Sequence, residues 1–146
     1  MELKASNPIL VVEDNEDDYE VLQRSFKKAG FERPVVHVVN GEKALDYLYN
    51  EIDASIRPGL VLLDINMPGI GGLEVLQKIK TNAKLKSIPV VMLTTSDSSL
   101  DINKCYKLGA NGYIAKPVDF EKFIEAMKSV KSFFFEAASL PNSDDG

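Results

Sequence analysis

The sequence predicts an α/β fold, a doubly wound parallel sheet with helices on both faces, and three observations carry that prediction. Five short apolar runs alternate along the chain with five stretches whose apolar residues recur at spacings of three and four. The runs Pro8-Ile9-Leu10-Val11-Val12, Leu60-Val61-Leu62-Leu63 and Pro89-Val90-Val91-Met92-Leu93 show no polar alternation, as strands covered on both faces require. Each run that suits the centre of the sheet then ends abruptly in polar residues. Right-handed crossovers leave few topologies and bring all of those ends to one edge, where parallel sheets bind ligands.

Taken in order, residues 1–7 form a polar leader and Pro8 to Val12 the first strand, which stops at Glu13-Asp14. Asn15 offers an N-cap and Glu16, Asp17 and Asp18 place negative charge in the first helical turn. Leu22, Phe26 and Ala29 follow at helical spacing until Gly30 ends the helix. Val35-Val36-His37-Val38-Val39 is a β-branched second strand, and Asn40-Gly41 opens a helix with Ala44, Leu45 and Leu48 on one face. His37 reads as a half-exposed residue of an outer strand. A loop from Asn50 to Gly59 leads to Leu60-Val61-Leu62-Leu63-Asp64, cut off by Met67-Pro68-Gly69.

Gly71-Gly72 leads into the third helix, with Val75, Leu76 and Ile79 on one face. The fourth strand ends in Thr94-Thr95-Ser96, and Asp97 or Ser98 caps a helix carrying Ile102, Cys105, Tyr106 and Leu108 before Gly109. Gly112-Tyr113-Ile114-Ala115 is the fifth strand, followed by Lys116-Pro117. The last helix starts near Asp119, and Phe120, Phe123, Ile124, Met127, Val130 and Phe134 give it core periodicity. One domain is therefore expected over 8–138, with a polar tail over 139–146.

Composition narrows the function. With 146 residues, 45% hydrophobic and 27% charged, the chain suits one globular domain with a sizeable core. A net charge of −5 argues against a nucleic-acid surface, which needs a basic face. No run approaches the roughly 20 apolar residues of a membrane span, and the N-terminus lacks a basic region followed by an apolar one. The single Cys105 cannot make an internal disulfide and reads as a small apolar residue. The expected location is the cytoplasm.

The strand ends supply the chemistry. Glu13, Asp14 and Asp64 brought to one edge repel, and burying them costs several kcal/mol per charge unless a cation neutralises them. Oxygen donors without histidine or cysteine suit Mg²⁺ rather than zinc. A metal, a central aspartate, a lysine and a hydroxyl make a site for phosphate on a carboxylate. Asp64 is the expected nucleophile, Mg²⁺ and Lys116 screen the phosphoryl charge, and the Thr94 hydroxyl hydrogen-bonds it. Alone, Asp64 reads equally well as the cap of its turn.

Glu-Asp-Asn after the first strand, L-L-D-I-N-M-P-G with G-G-L-E-V-L, M-L-T-T-S and G-Y-I-A-K-P together resemble the motifs of the response-regulator receiver domain, over about residues 8–132. The resemblance implies the flavodoxin-like, CheY-like strand order 2-1-3-4-5 and phosphorylation of Asp64 by a sensor histidine kinase. It implies Mg²⁺ on Asp14, Asp64 and the backbone carbonyl of Asn66, and switch roles for Thr94 and Tyr113. That family more often has Asp where Glu13 stands, so Glu13 is expected to act through a metal-bound water. Such a protein modifies only itself and is not an enzyme in the usual sense. The lack of an output domain, the Ser132-Phe133-Phe134-Phe135-Glu136 tail with Leu140-Pro141, and the Arg57-Pro58 loop are similar to the small regulators paired with cyanobacterial phytochromes. A bacterial phytochrome is thus the expected kinase.

Three rivals stand beside this reading. A haloacid-dehalogenase-type phosphatase needs an acid two residues after its nucleophile, where this chain has Asn66. A flavodoxin-like FMN binder needs hydroxyls and glycines after the first strand, where Glu13-Asp14 would repel the phosphate. A degenerate receiver would serve only as a docking module, yet the acids, hydroxyl and lysine are present. Finally, Phe133 and Phe135 fall off the core face of the last helix. Similar regulators pair through the fourth helix, fifth strand and fifth helix, so a homodimer is expected there, with Lys104, Lys107, Glu125 and Lys128 at its rim.

Overall fold

The computed structural model describes residues 7–50, 57–94, 99–116 and 119–137. Strands β1 (Ile9–Val12), β2 (Val35–Val38), β3 (Leu60–Asp64), β4 (Val90–Thr94) and β5 (Gly112–Ala115) alternate with helices α1 (Glu16–Ala29), α2 (Gly41–Asn50), α3 (Gly72–Thr81), α4 (Ser99–Lys107) and α5 (Phe120–Lys131). All strand pairs are parallel, in the order β2-β1-β3-β4-β5. The order and the helices on both faces are those expected. The expected caps Asp97 and Ser98, the Thr94 side chain and Leu140-Pro141 lie outside the described residues.

Strand parity divides the core in two. Leu10, Val12, Val61, Leu63, Val90 and Met92 pack against α2, α3 and the α4 residue Cys105. Their neighbours Ile9, Val11, Leu60, Leu62, Val91 and Leu93 turn the other way, against Leu22, Phe26 and Ala29 of α1 and Phe123, Met127 and Val130 of α5. Because side chains alternate across a strand, an unbroken apolar run is what two covered faces demand. Cys105 is fully buried, as its apolar reading requires.

The helix ends follow local chemistry. The Asn15 side chain accepts from the Asp18 amide at 2.9 Å, and Asn40 accepts from the Lys43 amide at 2.8 Å. Gly30 closes α1 in the left-handed region, at φ 83°. Asp119 accepts from the Glu121 amide at 2.9 Å and starts α5.

Four side chains depart from expectation. Asn7, assigned by sequence to the leader, is buried and donates to the Arg57 carbonyl at 2.8 Å. Arg57 is itself buried, donating to the Lys84 carbonyl and the Ser87 hydroxyl, both at 2.7 Å. Tyr106 stands half exposed on α4. Phe120 is partly buried, with the Arg24 guanidinium over its ring at 5.4 Å.

The end of the chain brings the main correction. After Lys131 the helix continues as a π-helical segment, Ser132–Ala137, which buries Phe134 in the α1/α5 core. Phe133 is 59% exposed, but Phe135 meets Phe31 edge-on at 6.2 Å and lies 4.3 Å under the Arg33 guanidinium. The two rings expected in one patch are thus parted, because residues two apart on a helical segment do not share a face.

Candidate functional site

The carboxyl ends of β1 and β3 adjoin in register, Val12 beside Leu63, so the residues that follow meet at the point where strand order reverses. Glu13, Asp14 and Asp64 each offer a carboxylate oxygen, all within 4.8 Å of one another. Glu13 and Asp64 are buried and Asp14 is exposed. This is the donor set that a hard divalent cation takes, with one side open to water.

Lys116 follows β5 and reaches across this edge. Its Nζ donates to Asp64 Oδ2 at 3.1 Å and to Asp18 Oδ2 at 2.9 Å, and pairs with Glu13 Oε1 at 2.5 Å. Burial works against the lysine charge, but the Glu13 and Asp18 contacts and the Asp64 charge outweigh it, holding the ammonium above the ordinary lysine range. Glu13 is pushed up to about 7, first by burial; Lys116 opposes the rise and the neighbouring Asp64 adds to it. Asp64 Oδ1 accepts from the Asn66 amide at 3.2 Å, which tightens the turn after β3.

The surrounding loops are braced from several sides. Glu42 of α2 accepts from the Ile70 amide at 3.1 Å and so steadies the β3–α3 connection. The His37 Nε2 lies 2.8 Å from the Glu13 carbonyl oxygen, and its ring stacks on Tyr19 at 3.6 Å. His37 is therefore half buried on an outer strand, as expected, and anchors the Glu13 backbone. Thr94 ends β4 beside Ala115, next to Lys116 in the chain.

Sequence reasoning brought Glu13, Asp14, Asp64 and Lys116 together, and the structure gathers all four. It missed Asp18 as a partner of Lys116, having read it only as negative charge in the first turn. No local pattern marks it, because the contact joins the first turn of α1 to a residue 98 positions further along the chain. Tyr113 lies apart, partly buried on β5 in a groove with Val91, Tyr106, Ile114, Val130 and Phe133. Among the described residues no helix is long and apolar enough to cross a membrane.

The response regulator receiver domain family matches residues 9–128. The chain is 38% identical over 135 residues to the probable methanogenesis regulatory protein FilR2 of Methanothrix harundinacea (strain 6Ac), covering 90% of this chain and 87% of that one. It is 37% identical over 141 residues to the response regulator Rcp1 of Synechocystis sp. (strain ATCC 27184 / PCC 6803 / Kazusa), covering 93% and 96%. A crystal structure of Rcp1 in its Mn²⁺-bound form superposes with a TM-score of 0.82, at 36% identity over 92% of this chain and 99% of that one. The phosphorylated cyanobacterial phytochrome response regulator RcpA gives 0.85, at 37% identity over 94% and 99%.

Proposed function

The chain belongs to the response regulator receiver domain family, and from that premise we propose that it takes a phosphoryl group on Asp64 from a sensor histidine kinase. The observation that carries the proposal is the position of Asp64, its buried carboxylate accepting from the Lys116 ammonium at 3.1 Å and lying within 4.8 Å of the Glu13 and Asp14 carboxylates. One Asp64 carboxylate oxygen attacks phosphorus, an O–P bond forms, and the P–N bond to the kinase imidazole breaks. The released imidazole nitrogen recovers a proton from water. Lys116 faces the charge that builds on the phosphoryl oxygens, and the Thr94 hydroxyl holds one of them afterwards.

Asp14, Asp64, the Asn66 carbonyl and Glu13, the last through a water, are the proposed donors for Mg²⁺. The carboxylate set fits a hard cation. When bound, that ion supplies positive charge against both the clustered acids and the transferring group. Water later reverses the modification, so the chain promotes only its own phosphorylation and dephosphorylation. Phosphate drawing in the Thr94 hydroxyl lets Tyr113 turn inward, which alters the α4-β5-α5 surface where Phe133 stands exposed. A second copy of the chain is the proposed occupant of that surface.

The likeness to Rcp1 and RcpA favours a phytochrome-type kinase and a role in light signalling. The deciding experiment offers labelled phosphate from candidate kinases and locates the label by mass spectrometry. Label on Asp64 is expected; label on another residue overturns the assignment.

A further inference from the structure

The Glu13 carbonyl stands where the sheet runs out of backbone donors. Glu13 extends the β1–β2 ladder by one bond, its amide donating to the Val38 carbonyl at 3.1 Å. In a parallel ladder the Glu13 carbonyl would next accept from the Asn40 amide. β2 ends at Val38, and Asn40 caps α2 instead, accepting from the Lys43 amide at its side chain and from the Ala44 amide at its carbonyl. The His37 ring fills the gap, with Nε2 2.8 Å from the Glu13 oxygen.

A carbonyl oxygen only accepts, so Nε2 must carry the hydrogen. The neutral Nε2–H tautomer and the imidazolium both meet that condition, and the bond therefore does not depend on the charge of the ring. Tyr19 of α1 stacks on the ring with centroids 3.6 Å apart and holds it in this orientation. The peptide so pinned joins Glu13 to Asp14. Glu13 has a further anchor in its buried side chain, whose Oε2 accepts from the Asn15 amide at 3.3 Å. The Asp14 carboxylate is exposed, and among the described residues no hydrogen bond or ion pair holds it. Where it stands is set by the backbone before it.

Resting on the divalent-cation reading above, we infer that His37 is a positioning residue for that cation: by fixing the peptide between Glu13 and Asp14, its Nε2–H keeps the Asp14 carboxylate beside Asp64 and so raises the affinity for Mg²⁺. His37 acts through the Glu13 carbonyl and is not itself a donor to the ion. Groups behind the ligands set metal affinity in this way, because a ligand that must first be ordered binds more weakly.

Titration calorimetry with Mg²⁺ on the full chain tests this with two substitutions that separate the two contacts of the ring. His37→Phe keeps a ring to stack on Tyr19 but has no donor, and should bind Mg²⁺ about three- to tenfold more weakly than wild type. His37→Gln loses the stack but carries an amide N–H at similar reach, and should stay within about twofold of wild type. Far-UV circular dichroism establishes that each variant is folded. In wild type, ring ¹⁵N shifts at a pH where His37 is neutral should place the hydrogen on Nε2. His37→Phe binding Mg²⁺ as tightly as wild type, or His37→Gln falling as far as His37→Phe, overturns the positioning role. So does a neutral ring with its hydrogen on Nδ1, a result that no variant's folding can obscure. Wild type that binds no Mg²⁺ overturns the cation site and this inference with it.

Discussion

Gly72, the first residue of α3, lies so close to Asp64 that a Cβ on it would overlap the Asp64 carbonyl oxygen and stand 2.7 Å from the Ile65 Cα. Its amide donates to the Ile65 carbonyl at 2.9 Å. The helix thus starts directly against the backbone that carries Asp64, the proposed acceptor. Gly72→Ala should force β3 and α3 apart, lowering stability by about 1–3 kcal/mol and slowing phosphoryl uptake. Denaturant midpoints and labelled-phosphate kinetics check both, and an unchanged midpoint would mean that α3 shifts freely.

Asp64→Asn should accept no phosphate at residue 64, because the amide cannot act as the nucleophile. Asp14→Ala should keep the acceptor but weaken Mg²⁺ binding on the order of tenfold or more, since affinity follows the number of charged ligands. Titration calorimetry and phosphotransfer, run on the same preparations, separate the two effects. Phosphate on residue 64 of Asp64→Asn would contradict the assignment.

The Glu13 carboxyl has an ordinary value of 4.5 and is raised to about 7 in the fold, chiefly by burial. Between those values the folded chain holds a proton that the unfolded chain has lost. The contribution is fully present below 4.5 and is lost as pH rises through about 7. Metal-free wild type should therefore lose stability across this window, and Glu13→Gln should lose less. Chemical unfolding at pH 5 and pH 8, with a chelator present, gives the comparison; parallel curves would assign the pH dependence to other groups.

Arg33 over Phe135 ties the π-helical segment to the strand edge. Phe135→Ala should cost about 1–2 kcal/mol, and a double-mutant cycle with Arg33→Ala should return a coupling of about 0.5–1 kcal/mol. Phe133→Ser, at an exposed position, should change stability by no more than about 0.5 kcal/mol. Thermal or denaturant unfolding measures all three, and additive losses would leave the ring and the guanidinium without an energetic bond.

A dimer through α4-β5-α5 should bury about 800 Å² per partner, with Phe133 near its middle. Phe133→Ser should weaken it, and Phe135→Ser should act only through stability, because Phe135 packs within its own chain. Sedimentation with and without beryllium fluoride reads the outcome. Wild type that stays monomeric in both states at high concentration would exclude this occupant.

By itself the sequence determined the five strands, the strand ends that carry Glu13, Asp14, Asp64 and Lys116, and the two-sided burial of the sheet. Apolar runs, caps and strand-end polar residues are local patterns, and a parallel sheet turns them into a common edge without further instruction. Only the tertiary structure decided that Asp18 completes the Lys116 cluster, that His37 reaches the Glu13 carbonyl, and that Phe135 belongs to Phe31 and Arg33 rather than to a patch with Phe133. These contacts join residues 24 to 104 positions apart, or depend on which way a helix has turned when it meets its neighbour. Spacing along the chain places a side chain on a face; what stands opposite that face is set by the packing of another element against it.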